Sequence, residues 1–256
     1  MRRRQIVNYI IFFIIIILLC LITVPALAEI VIDSDNDGVA DEDEIKIYQT
    51  DPNKADTDGD GYKDWLELNG GFSPHNPKKI KLEDNDNDGD GLSDRMELNF
   101  NTNLDNPDTD GDGFKDGAEI NGGYDPLKPG KIKLTKKIEI NTGPEQKLYY
   151  FLGDVRMGEF KISSGKLSMR TPKGNFKIDG KSLRAWSKKY GLFMPYWLSL
   201  KNGYFGIHEL PEWPNGKKEG ENHLGQPVSH GCIRLGIGSA EFLYNWASVG
   251  TAVKIY

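Results

Sequence analysis

The sequence predicts a mainly β domain over residues 135–256, an extended array of acidic loops over 33–134, and an apolar helix at the N-terminus. Three observations predict this division. From Glu29 to Leu134 there are 28 Asp and Glu against 11 Lys and Arg, a net charge of −17, whereas Thr135 to Tyr256 carries +8. One globular domain rarely separates its charge so sharply. An acidic loop pattern then recurs four times in the first half, and short runs alternating apolar with polar residues fill the second, the period of strands with one buried face. A chain of 256 residues has room for two such units, each with its own core.

Taking the elements in order, Arg2, Arg3 and Arg4 precede an apolar run from Ile6 to Val24, broken only by Asn8, Tyr9 and Thr23 and followed by Pro25-Ala26-Leu27-Ala28. A positive start, an apolar middle and small residues at Ala26 and Ala28 predict a secretory signal cut after Ala28. The run of 19 residues also approaches the ~20 that span a bilayer, so a retained membrane anchor over 1–28 is the alternative. Either reading keeps the arginines inside and sends the remainder out, to the cell envelope, the wall or the outer membrane face. Cys20 follows Leu18 and Leu19 rather than small residues, which argues against a lipid-bearing cysteine.

The four acidic loops share the pattern Asp-x-Asp-x-Asp-Gly-x-x-Asp-x-x-Glu. The first is Asp33, Asp35, Asp37, Asp41 and Glu44, and the second Asp56, Asp58, Asp60, Asp64 and Glu67. The third is Asp86, Asp88, Asp90, Asp94 and Glu97, and the fourth Asp108, Asp110, Asp112, Asp116 and Glu119. Calcium takes six to eight oxygens, and carboxylates at loop positions 1, 3 and 5, a glycine at 6 and a two-pronged Glu at 12 supply them. All twenty acidic residues are therefore candidate calcium ligands. Residues 56–82 align with 108–134 at an offset of 52, so the repeating unit is a pair of loops. The helical turns after each loop are too short to stand alone, and Asn-Gly-Gly stops those after the second and fourth loops. The segment resembles the calcium loops of thrombospondin type 3 repeats and half EF-hands. That resemblance implies a calcium-stiffened stalk, with affinities on the order of 10⁻⁴ to 10⁻³ M per site.

In the second half, strands are predicted at Lys137–Ile140, Lys147–Leu152, Gly158–Ile162, Phe176–Ile178, Trp197–Leu200, Tyr204–Ile207 and Ala252–Ile255. Helices are predicted at Leu183–Lys189 and at Ser239–Ala247, where Phe242, Leu243 and Trp246 recur at helical spacing. His75 and His223 read as solvated surface residues.

Candidate chemistry gathers at Ser229-His230-Gly231-Cys232-Ile233-Arg234-Leu235. A thiol is a nucleophile as its thiolate, and cationic neighbours favour that form. An unpaired cysteine in an exported chain points to a reactive thiol or an intermolecular disulfide, and the flanking histidine and arginine favour the former. Gly231 permits a sharp turn that aims backbone N–H groups at a carbonyl oxygen under attack. His208, within the apolar run Tyr204-Phe205-Gly206-Ile207, sits on a predicted strand that would hold an imidazole rigidly. Zinc held by His208, His230 and Cys232 is a rival, but no familiar zinc spacing accompanies them. The basic residues are scattered without a nucleic-acid-binding motif, so nucleic acid is not an expected partner.

The pattern resembles the L,D-transpeptidase family, the YkuD-type catalytic domain, in Ser229-His230-Gly231-Cys232-Ile233-Arg234, in the upstream His208, and in Thr171-Pro172-Lys173-Gly174 and Met194-Pro195-Tyr196-Trp197. The resemblance implies a β-sandwich-like fold and acyl transfer through a Cys232 thioester on peptidoglycan stem peptides, without a catalytic cofactor. His208 is the expected base, His230 and Gly231 shape the site, and Ser229, Arg234 and Tyr196 are expected to meet the substrate. Passing the acyl group to an amine forms a 3→3 cross-link or anchors a protein to the wall, and passing it to water gives a carboxypeptidase. A non-catalytic calcium-dependent surface-binding protein is the rival of another class. The 20-residue insert Glu209–Val228 departs from compact members and predicts a larger lid.

Overall fold

The computed structural model describes residues 31–256, so the predicted signal or anchor over 1–28 lies outside the described residues. Among the described residues no helix is long and apolar enough to cross a membrane. The array holds four short helical pieces: α1 (Asp41–Asp43, continued by a wide turn over Glu44–Tyr48), α2 (Asp64–Gly70), α3 (Asp94–Phe100) and α4 (Asp116–Gly122). Each follows an acidic loop, and α2, α3 and α4 stop where Gly71, Asn101 and Gly123 turn left-handed.

Side chains tie the loops in pairs, as the duplication predicts. Asp37 of the first loop accepts the Trp65 amide of α2 at 3.0 Å, and Asp90 of the third accepts the Gly117 amide of α4 at 2.5 Å. A carboxylate at the first turn of a short helix satisfies an orphan N–H and offsets the helix dipole, so each odd-numbered loop supports the helix after its neighbour. His75, expected at the surface, is instead largely enclosed, with Nε2 2.7 Å from the Tyr48 carbonyl. It joins the first loop unit to the segment after the second.

Eight strands follow: β1 (Lys136–Asn141), β2 (Lys147–Leu152), β3 (Val155–Ser163), β4 (Gly174–Ser187), β5 (Leu192–Leu200), β6 (Phe205–Glu209), β7 (Ile233–Leu235) and β8 (Ala252–Ile255). Helix α5 (Ser239–Trp246) packs against β5 and β6. The domain is mainly β with few helices, as predicted. Its strands form a closed barrel in the order β1-β2-β3-β7-β6-β5-β4-β8. The sandwich expectation and the barrel meet in β3 and β4, which pass from one sheet into the other. β4 pairs with β8 over 174–177 and with β5 from Ile178 onward.

The core is built from inward positions of all eight strands, among them Ile138, Ile140, Leu148, Ile162, Ile178, Leu198, Ile207, Ile233 and Val253, with Leu243 of α5. Lys136 and Lys181 brace the C-terminal end of α5, donating to the carbonyls of Trp246 at 2.9 Å and Ala247 at 2.6 Å. Where a helix is expected at Leu183–Lys189, the chain instead continues β4 to Ser187, and Lys188 and Lys189 lie in the turn to β5. Cross-strand contacts outweigh helix propensity there: Trp186 lies 4.7 Å from Phe193, and the Arg184 guanidinium sits 3.5 Å from the Phe193 ring.

The array is not detached from the barrel. Leu92, Phe100 and Ile120 share one buried cluster with Leu152 of β2, and Met96, Leu134, Val155 and Met157 pack against it.

Candidate active site

β6 and β7 run parallel, with Ile207 opposite Ile233 and His208 opposite Arg234. Residues two apart on a strand share a face, so Cys232 and Arg234 lie on the same side of the sheet as Gly206 and His208. Gly206 is required for this: a Cβ there would stand 2.3 Å from the Leu198 carbonyl oxygen and 2.8 Å from the Trp197 indole. The space a side chain would take is filled by Trp197, whose ring lies 5.8 Å from that of His208.

One cavity of about 460 Å³ receives Cys232, His208, His230 and Arg234 together. The cysteine is partly exposed and free of any disulfide. Burial pushes its thiol pKa up, against the opposing pull of a backbone hydrogen bond from Gly206 and of the Arg234 charge. Burial lowers the His208 pKa to about 4, and nearby Arg234 adds to this. Its Nδ1 lies 2.5 Å from the Glu209 carbonyl oxygen. A carbonyl only accepts, so Nδ1 carries the proton and Nε2 keeps its lone pair. The resting pair is therefore a neutral thiol and a neutral imidazole in one cavity. His230 stacks on Tyr190 at 4.8 Å, and its pKa is lowered first by burial and then by Lys166, Arg234 and Lys189.

Ser229 and Gly231 shape the turn. The buried Ser229 hydroxyl donates to the Cys232 carbonyl at 2.5 Å and accepts the Gly231 amide at 3.0 Å. Gly231 takes φ +114°, a conformation costly for any other residue, and its carbonyl accepts the Thr171 hydroxyl at 3.0 Å. Three expectations are corrected here. The Gly231 amide is engaged by Ser229 and so is not directed at a substrate, and Ser229 does not line the cavity. Tyr196 does not line it either, since its ring packs on Tyr244 of α5 at 5.8 Å. Leu192 and Met194 do line it, and regular alternation would add Tyr196; the left-handed φ of +51° at Tyr196 breaks that alternation, and Trp197 lines the cavity instead.

Sequence reasoning missed the partner of Arg234. Glu219, within the insert, accepts from Arg234 Nη1 at 2.7 Å, and both side chains are mostly buried. No spacing rule links them; only the unusual insert signalled that something there touches the site. Also missed were Trp186, Tyr190, Tyr204 and Trp213, which form the outer cavity wall.

In the array, the three leading carboxylates of each loop converge: Asp33, Asp35 and Asp37; Asp56, Asp58 and Asp60; Asp86, Asp88 and Asp90; Asp108, Asp110 and Asp112 each bring oxygens within 4.8 Å of one another. Buried oxygens of Glu44, Glu67, Glu97 and Glu119 have no hydrogen-bond partner among the described residues. Burial, followed by the charges of the loop aspartates, pushes these glutamates up, Glu67 to about 8 and Glu97 to about 9. Clustered carboxylates with orphaned buried oxygens fit a hard divalent cation. Asp41, Asp64, Asp94 and Asp116 stand outside these convergent triplets and brace their loops. Both oxygens of Asp64 are taken by the Thr57 amide and hydroxyl at 2.7 Å, and Asp116 holds Thr109 in the same way. Asp41 likewise holds Ser34, and Asp94 holds Ser73, Asn85 and Asn87.

Fold and site together define a β-barrel domain with a cysteine and a histidine in one cavity, docked to an acidic-loop array. Residues 135–255 match the family model of the L,D-transpeptidase catalytic domain, and residues 33–55, 56–71, 86–103 and 108–129 match that of the bacterial TSP3 repeat. The barrel thus matches the L,D-transpeptidase catalytic domain and the array the bacterial TSP3 repeat, in agreement with the motifs. Among relatives, YciB of Bacillus subtilis, named for L,D-transpeptidase activity, is 36% identical over 46% of this chain and 64% of its own length. YkuD of the same organism, similarly named, is 30% identical over 43% of this chain and 59% of its own. The chain therefore matches less than two thirds of either relative. The solved L,D-transpeptidase of Stackebrandtia nassauensis is 26% identical over 48% of this chain and 55% of its own, with a TM-score of 0.41.

Proposed function

We propose that this chain is an exported cysteine acyltransferase that acts on peptidoglycan stem peptides and forms 3→3 cross-links. The observation that carries the reading is the shared cavity of Cys232 and His208, in which the Glu209 carbonyl holds the imidazole in the tautomer whose Nε2 accepts a proton. In the first step the Cys232 sulfur attacks the carbonyl between the diamino acid at position 3 and the D-alanine at position 4, and His208 takes the thiol proton. His208 then returns that proton to the departing D-alanine amine, leaving a thioester. An amine of a second stem attacks the thioester, His208 takes the proton that the amine nitrogen sheds and passes it to the departing sulfur, and the Cys232 thiol is restored as the new amide forms. With the Gly231 amide engaged, the His230 and Cys232 amides are the turn's donors toward the oxyanion. Arg234, held by Glu219, offers its remaining N–H groups to a substrate carboxylate.

The array serves as a calcium-bound spacer. Its ligands are the leading aspartates and the closing glutamate of each loop, and the cation neutralises carboxylates that otherwise repel one another. Residues 1–28 export the chain or anchor it at the membrane, placing the barrel at the wall. Domain limits of 33–134 and 135–256 follow from the same reading.

The test is mass spectrometry after exposure to a carbapenem, together with turnover of a defined tetrapeptide. A covalent adduct on Cys232 that disappears in Cys232→Ala, with release of D-alanine, is expected. Absence of both adduct and turnover overturns the proposal. Product masses separate cross-linking from hydrolysis.

A further inference from the structure

The cavity has two tiers. Cys232, His208 and Arg234 form a polar inner part, while Trp186, Tyr190, Tyr204 and Trp213 form an aromatic outer wall. Those outer aromatics keep much of their surface open to solvent, 46% for Trp186 and 38% for Trp213. A cluster of exposed large aromatics costs solubility and marks a contact surface rather than a core.

This outer wall is also held in place. Trp186 on β4 packs on Phe193 of β5, and Phe193 exchanges two backbone hydrogen bonds, at 2.8 and 3.0 Å, with Glu212, the residue before Trp213. Arg184 crosses the same junction to reach the Glu212 carboxylate at 2.6 Å. Trp213 itself sits in a turn closed by its own amide on the Lys217 carbonyl at 2.8 Å. The two indoles are therefore presented by elements braced against each other, at little ordering cost when a ligand arrives.

We infer that Trp186 and Trp213 form a saccharide-binding platform beside the catalytic cavity, which engages the glycan to which the stem peptide is attached. This rests on the acyltransferase reading above. A stem built of alanine, glutamate and a diamino acid has no large apolar side chain to cover aromatic faces. Its carboxylates and amides match the inner Arg234 and backbone donors instead. The C–H face of a hexopyranose ring does match an indole, being flat, apolar and rimmed by hydroxyls that stay hydrated at an open cleft. The platform makes disaccharide-linked stems better substrates than free peptide.

Two measurements on the full chain test this. Cys232→Ala, which cannot turn over, is titrated with chitotetraose by calorimetry and tryptophan fluorescence. Saturable binding is expected, weakened about tenfold by Trp186→Ala or Trp213→Ala, the loss of one aromatic stacking contact, and restored by Trp186→Phe. With Cys232 intact, the ratio of kcat/KM for disaccharide-tetrapeptide over free tetrapeptide is expected to exceed one and to fall toward one in either alanine variant. Near-UV circular dichroism confirms that the variants are folded. No chitotetraose binding, a wild-type ratio near one, or a ratio unmoved by both substitutions overturns the platform. Turnover of free tetrapeptide in that event leaves the acyltransferase reading standing, and sugar binding without turnover does the converse.

Discussion

Glu219 lies 2.7 Å from Arg234, and the two side chains are 14% and 8% exposed. The pair joins the insert to β7, two residues beyond Cys232. Removing one member of a buried pair leaves the other charge without compensation, which costs about 3–5 kcal/mol when burial is complete. Glu219→Ala is expected to lose somewhat less, about 2–3 kcal/mol because of the residual exposure, and to raise KM as Arg234 loses its orientation. Glu219→Gln, which keeps an acceptor oxygen, is expected to fall between wild type and alanine. Urea unfolding and steady-state kinetics check this, and an unchanged Glu219→Ala on both would show the pair to be incidental.

Burial sets the pH response of the thiol. Because the Cys232 pKa is raised and that of His208 lowered to about 4, no thiolate–imidazolium pair is stored in the resting site. The rate of Cys232 alkylation by iodoacetamide is therefore expected to climb in one step centred above the ordinary thiol value of about 8.5. A plateau persisting down to pH 5 would instead reveal a pre-formed ion pair.

His208 also makes stability acid-sensitive. Its folded pKa of about 4 lies below its ordinary value, so the unfolded chain binds the proton more readily. The stabilising effect of the neutral buried ring is fully present above about pH 6.5 and is lost as pH falls toward 4. A difference of this size corresponds to about 3 kcal/mol. His208→Gln is expected to flatten the decline in unfolding free energy between pH 6.5 and 4, read from urea titrations at each pH. An identical decline in the variant would assign the effect to other groups.

Much of this arrangement was legible because local patterns and tertiary demands agree. Ala252–Ile255 alternates and is a strand, and Ser239–Trp246 has a helical face buried on the barrel. The four loops announced themselves by spacing, and Cys232 and His208 by their neighbours. The stretch 183–187 was illegible as a strand because the rings that hold it extended belong to another strand, Phe193 on β5. β7, only three residues long, takes its form from β3 and β6 on either side rather than from its own alternation. The same limit hid Glu219. An ion pair 15 residues apart across a loop leaves no periodic mark.

Calcium removal is expected to reach the barrel unequally from the four loops. Leu92 stands at position 7 of the third loop and is buried in the cluster containing Leu152 of β2, while Ile120 enters that cluster from the helix after the fourth loop. Residues of the first loop take no part in the cluster. Loosening the third loop therefore uncovers Leu92 and strips cover from the β2–β3 hairpin, at roughly 25 cal/mol per Å² of apolar surface exposed. Adding EGTA is expected to lower the melting temperature of the barrel and to speed peroxide oxidation of Met96 and Met157, both packed on the seam. Asp86→Asn is expected to reproduce both effects and Asp33→Asn neither, because only the former lies in a loop that contributes to the seam. Equal responses from the two variants, followed by near-UV circular dichroism and peptide mass analysis, would show that the array acts on the barrel as a uniform charged tether.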